Sequence, residues 1–166
     1  LKYFYSKSKT IILNEEINKE NVNEIVFSNL EGKIIDFFSL DVDGNDYWVL
    51  ESLDLKNINV ICCEYNHWLG NNTKKAIPYN PEHKFKNDGY FGASLLAIHD
   101  LLVSKDFCLV AVESSGSNAF FVKKTFSEHF EILSPTKSWR PGGRFDTESD
   151  KIRMKQNVKN SKFIEI

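Results

Sequence analysis

Ile34-Ile35-Asp36-Phe37-Phe38-Ser39-Leu40-Asp41-Val42-Asp43-Gly44-Asn45-Asp46 is nearly continuous in apolar residues as far as Leu40 and then turns abruptly acidic. A run of the first kind reads as a strand buried on both faces of a parallel sheet. The acidic break marks the carboxyl end of that strand. Downstream, Tyr47, Trp48, Leu50 and Leu53 fall at helical spacing, and Ile58-Asn59-Val60-Ile61-Cys62-Cys63 is a second buried-strand run that closes at Glu64-Tyr65-Asn66-His67. Upstream, Thr10-Ile11-Ile12-Leu13 reads as a short strand. Asn18 then offers an N-cap for a helix whose apolar face is Val22, Ile25, Val26 and Leu30.

The alternation continues towards the C-terminus. Residues 68–91 are polar and carry Gly70, Pro78, Pro81 and Gly89, which reads as a long loop of the kind that covers a substrate. Leu95, Ile98, Leu101 and Leu102 share a helical face, and Phe107-Cys108-Leu109-Val110-Ala111-Val112 is a further strand. The turn Ser114-Ser115-Gly116-Ser117-Asn118 is too short for anything but an antiparallel hairpin with Ala119-Phe120-Phe121-Val122. The expected class is therefore α/β, with a mostly parallel sheet that becomes mixed at one edge. Residues 1–126 read as this domain, and residues 127–166 as a polar tail that wraps it without a core of its own.

Composition narrows the function. The chain has 166 residues, 42% of them hydrophobic, which suffices for one sizeable core. With 21 basic and 23 acidic residues it lacks the broad positive field that nucleic acid or anionic lipid would need, so neither is expected as a partner. Cys62, Cys63 and Cys108 lie in apolar runs without C-x-x-C spacing and read as reduced thiols. The absence of long apolar stretches and of a secretory leader pattern gives the expectation of a cytoplasmic protein. A start at Leu1 rather than Met gives the further expectation of natural sequence upstream.

In an open α/β sheet, ligands bind beyond the carboxyl ends of the strands. Those ends carry Asp41, Asp43 and Asp46, then Glu64, Asn66 and His67, then Glu113, Ser114 and Ser115. Taken singly, each is adequately explained as a solvated strand end or a helix cap. Taken together, carboxylates that close imply a cationic ligand, a metal or a raised pKa. The D-x-D-G turn has three further readings. An EF-hand fails on spacing, because Gly44 stands fourth and Ser52 stands twelfth. A D-x-D pair holding a divalent ion on a nucleotide sugar would fit a glycosyltransferase using Asp41 and Asp43. A bare structural turn, with Gly44 easing a tight exit and Asn45 capping the helix, is compatible with either. No His or Cys pair has zinc spacing, and Gly-x-Ser-x-Gly and P-loop patterns are absent.

Residues 35–47 resemble the fourth strand and following turn of FkbM-like methyltransferases, where a D-x-E/D-G pattern precedes a helix. The resemblance extends to residues 18–23, 60–66, 90–94 and 115–122, and so covers roughly residues 10–123. It implies a Rossmann-like sheet in the order 3-2-1-4-5-7-6, with strand 7 antiparallel and with strands 3 to 7 present here. Strands 1 and 2, which carry the glycine-rich turn and the ribose-binding acid, are absent from this sequence. It further implies S-adenosylmethionine as methyl donor and the hydroxyl of a sugar or other small molecule as acceptor. On this basis Asp41, Asp43 and His67 are the expected catalytic residues, with Asp41 and Asp46 towards the cofactor. Glu64, Asn66, Ser115 and Asn118 are expected on the acceptor. No resident metal is expected in this reading. Arg140 and Arg144 read either as partners of an anionic acceptor group or as solvated surface arginines.

Overall fold

A computed structural model describes residues 10–28, 30, 32–142 and 147–166. Arg144 and residues 1–9 lie outside them. The fold is α/β. Its order is α1 (Val22–Phe27), β1 (Ile35–Leu40), α2 (Asp46–Ser52), β2 (Ile58–Glu64), β3 (Lys75–Ala76), α3 (Leu95–Ser104), β4 (Phe107–Val112), β5 (Asn118–Lys123), α4 (Pro135–Ser138), α5 (Glu148–Asn160) and β6 (Ile164–Glu165). Four strands form one sheet in the order β1-β2-β5-β4. β1 and β2 are parallel, in a register that sets Ile35 against Ile58 and Leu40 against Cys63. β5 runs antiparallel to both β2 and β4, so β1, β2 and β4 all point the same way.

The expectation of a mostly parallel sheet is corrected by this order. The hairpin that leaves β4 does not end at a sheet edge, because β5 inserts between β2 and β4 and makes two of the three strand pairs antiparallel. The core lies where the sheet meets α2 and α3, and Leu50, Ile61, Ile98, Leu102, Phe107, Leu109 and Phe121 are fully buried there. α3 starts where Ser94 accepts a hydrogen bond from Ala97 N, which satisfies one of the free amides of its first turn.

Two further expectations fail on the side of β1. Residues 10–13 form no strand, and Ile12 is 88% exposed. β1 itself is an edge strand: β2 is its single partner among the described residues, and Phe37 is 55% exposed. A strand needs a hydrogen-bonding neighbour, and the 10–13 segment has none among the described residues. Among the described residues nothing pairs with the other margin of β1, and its apolar run, which reads as buried on both faces, is largely exposed or half-buried.

The polar tail is more regular than its composition indicates. Thr147 caps α5 and forms a capping box with Asp150, while Met154 is the one fully buried residue among the described positions of that helix. β6 then returns to pair with β3 in the long loop, Lys75 against Glu165 and Ala76 against Ile164. Tail and loop thereby hold each other.

Candidate functional site

β1 and β2 are parallel and in register, so their carboxyl ends meet at one rim. Leu40 pairs with Cys63, which sets Asp41 and Glu64 one residue beyond as neighbours. Asp43 joins them because the turn doubles back on itself: its φ of +51° lies in the left-handed region, which a short polar side chain tolerates better than most. One carboxylate oxygen from each of Asp41, Asp43 and Glu64 falls within 4.8 Å of the others. These are three of the nine strand-end residues that the sequence reading sets on one rim.

The turn is fixed from beneath by Asp46, whose two carboxylate oxygens accept from Val42 N at 3.1 Å and Gly44 N at 3.0 Å. Asp46 is fully buried, and burial raises its pKa against the opposing pull of those amides. The expected cofactor role of Asp46 is therefore corrected: both oxygens are committed to the turn. Asn45 is corrected as well. It makes no cap bond to α2 and instead donates from Nδ2 to Asn80 O at 2.8 Å, which pins the long loop. Gly44 is needed for closeness rather than for an unusual φ, because a Cβ at that position would lie 2.2 Å from the His83 ring.

His83, which sequence reasoning did not single out, thus lies across the D-x-D-G turn. Burial lowers its pKa, with Asp88 opposing the shift. Nothing in the sequence marks it, since it sits in a polar stretch with no partner at a recognisable spacing. The loop that carries it is stitched down: Trp48 Nε1 donates to Ile77 O at 2.9 Å, and Gly92 N donates to Gly44 O at 3.0 Å.

Glu64 is the chemically distinctive member of the rim. Burial, followed by the charges of Asp46, Asp41 and Asp43, pushes its pKa up to about 8. Its Oε2 is buried without a hydrogen-bond partner among the described residues. Asn118 lies opposite Glu64 in the β2–β5 register and donates from its side chain to Glu113 at 3.0 Å. Asn66, by contrast, is fully buried and committed. It donates to Gly89 O at 2.9 Å and Phe91 O at 2.7 Å and accepts from Trp68 N at 3.0 Å. Its expected contact with substrate is corrected on that ground.

Beyond Glu64 the chain enters a tight turn, His67–Leu69, and a cavity of about 770 Å³ opens there. His67 and Trp68 form one wall, their rings 4.6 Å apart, while Ser114 of the hairpin turn, Trp139 of the tail, and Lys151 and Lys155 of α5 complete it. Ser114 is the serine of that turn that lines it, and Ser115 is not among the lining residues. Tyr65, also missed from sequence, anchors the tail wall: its hydroxyl donates to Arg140 O at 3.1 Å and accepts from Arg140 N at 3.3 Å. The Arg140 guanidinium turns to the carbonyls of Lys137 and Trp139.

Gly116 is where hairpin and tail meet. Its φ is +76°, and a Cβ there would fall 2.6 Å from Gly142 N and 2.8 Å from Arg140 O. Gly116→Ala is expected to cost about 2–4 kcal/mol, from left-handed strain plus a backbone clash that no rotamer relieves. Limited proteolysis checks it, with faster cleavage within residues 139–142 expected. An unchanged cleavage rate would mean that the tail does not rest on the hairpin.

No helix among the described residues is long and apolar enough to cross a membrane. No protein-family model matches the chain, and neither a curated protein nor a solved structure matches it.

Proposed function

We propose that this chain is the acceptor-facing part of an S-adenosylmethionine-dependent methyltransferase of the FkbM-like kind, acting on a hydroxyl of a sugar or other small molecule. The observation that carries the proposal is the strand order. β1-β2-β5-β4, with β5 reversed, runs as the 4-5-7-6 portion of the sheet that the resemblance implies. Asp41 and Glu64 end the strands in the positions of 4 and 5, at the rim where such sheets hold ligands.

The residues present suit the donor's charge, since three close carboxylates favour a sulfonium and an ammonium group. When bound, S-adenosylmethionine supplies a methyl group already activated on sulfur. What remains for the protein is positioning and the acceptance of one proton. In this reading the exposed carboxylates of Asp41 and Asp43 would face the donor's positive charge. Glu64, whose pKa of about 8 keeps it mostly protonated at neutral pH, becomes able to take the proton from an acceptor hydroxyl as the pH rises to 8 and above. His67 lines the cavity beside Trp68, and Asn118 stands beside Glu64.

A second reading has its own support. Oxygen atoms of Asp41, Asp43 and Glu64 within 4.8 Å of one another form a hard donor set suited to magnesium or manganese, as a metal-dependent glycosyltransferase would use. Thermal melts of the full-length protein separate the two. A rise with S-adenosylmethionine alone supports methyl transfer, whereas a rise that needs manganese plus a nucleotide sugar supports glycosyl transfer. A melting temperature unmoved by either ligand would leave a catalytically silent binding domain.

A further inference from the structure

The cavity beyond Glu64 differs in character from the acidic rim beside it. Its walls are two indoles, Trp68 and Trp139, with the imidazole of His67 between the rim and Trp68. Its mouth is basic. Lys151 and Lys155 stand four residues apart on α5, so both side chains leave the helix on one face. Neither forms an ion pair among the described residues, although Asp150 and Glu148 are close in sequence: Asp150 is taken by Thr147 and Arg153. Two like charges on one helical face repel, and a bound anion would relieve them. The indole Nε1 of Trp139 is buried without a hydrogen-bond partner among the described residues. At about 770 Å³ the space accommodates one or two sugar rings.

We propose that this cavity is the acceptor subsite and that it takes an acidic sugar, one bearing a carboxylate or a phosphate. The ring packs on the faces of Trp68 and Trp139, since both are flat apolar surfaces of sugar size. The acid group pairs with Lys151 and Lys155, and Ser114, which also lines the cavity, offers a hydroxyl. Charge fixes the direction of binding. The anionic end is repelled by Asp41 and Asp43 and drawn to the lysines, which leaves a neutral hydroxyl to approach Glu64. This assignment of substrate class rests on the methyl-transfer reading for what happens at that hydroxyl, but binding can be measured without it.

The test is tryptophan fluorescence titration of the 166-residue chain with methyl glucuronide, glucose 6-phosphate, methyl glucoside and inorganic phosphate. At least one acidic sugar should bind ten-fold or more tighter than methyl glucoside and than inorganic phosphate, and which acid wins identifies carboxylate or phosphate. The double variant Lys151→Gln/Lys155→Gln should abolish that advantage, while Lys159→Gln on the same helix should keep it. Both changes lie on exposed or half-buried lysines without ion pairs, so the fold should be retained. Equal binding of neutral and acidic sugars, an advantage that survives the double variant, phosphate alone binding as tightly as the sugar phosphate, or no binding at all would each overturn the proposal. The double variant should leave the melting response of the full-length protein to S-adenosylmethionine intact. Loss of the donor response in the unmodified protein, with acid-sugar binding preserved, would sink methyl transfer and spare the subsite.

Discussion

Asn66→Ala is expected to lower stability by about 3–6 kcal/mol, a large share of what a domain of this size has in total. The side chain is fully buried and makes three hydrogen bonds, to Gly89 O, Phe91 O and Trp68 N. Alanine would leave two carbonyls and one amide without partners, and each orphaned buried group costs about 1–3 kcal/mol. The effect is topological as well as local, because Asn66 ties the end of β2 to the far end of the long loop, where Asn66 N also donates to Ala93 O at 2.7 Å. Thermal melts should show a fall on the order of 10–20 °C. Asn118→Ala provides the contrast. Its side-chain hydrogen bond among the described residues is to exposed Glu113, so a loss of about 1 kcal/mol or less is expected. Comparable losses from the two variants would contradict the division of these asparagines into a structural one and a rim one.

That division shows why some of the site could be read from the sequence and some could not. The strand ends were legible because a parallel strand buried in a sheet is written as an apolar run, and Leu40-Asp41 and Cys63-Glu64 mark its exits sharply. Their convergence followed from parallel pairing. What each polar residue does at the rim was not legible, since Asp46, Asn45 and Asn66 have the chemistry of ligand-binding residues and spend it on backbone groups instead. Such choices depend on which amides and carbonyls the tertiary fold leaves unpaired. The strand at 10–13 failed for a related reason: periodicity reports a preference, and pairing needs a neighbour. The cavity was invisible because its walls come from four separated segments, and α5 in particular shows no apolar stripe beyond Met154. Gly116 and Gly142 could be seen as turn residues, but that they pack the tail onto the hairpin and onto His67 emerges only in three dimensions.

Glu64 sets the second large effect, which appears as a dependence on pH. Its pKa is about 8 in the folded chain and near 4.5 when unfolded. Below pH 4.5 the carboxyl is protonated in both states and contributes nothing. Between pH 4.5 and 8 the unfolded chain gives up the proton and the folded chain keeps it, so stability falls as pH rises, and above 8 the full penalty is present. At about 1.4 kcal/mol per unit the ceiling is near ~5 kcal/mol, and partial solvation of the side chain reduces the expectation to about 2 kcal/mol. Glu64→Gln mimics the protonated acid, so its melting temperature should match the parent near pH 4.5 and exceed it by about 4–8 °C at pH 8.5. A constant difference across that range would show that Glu64 titrates normally and would remove it as the proton acceptor. The same measurement with manganese bears on the second reading. A cation held by Asp41, Asp43 and Glu64 would favour the ionised carboxylate and stabilise the parent at high pH, closing the gap to the glutamine variant. A gap that manganese leaves open would remove the metal site while leaving the raised acid in place for methyl transfer.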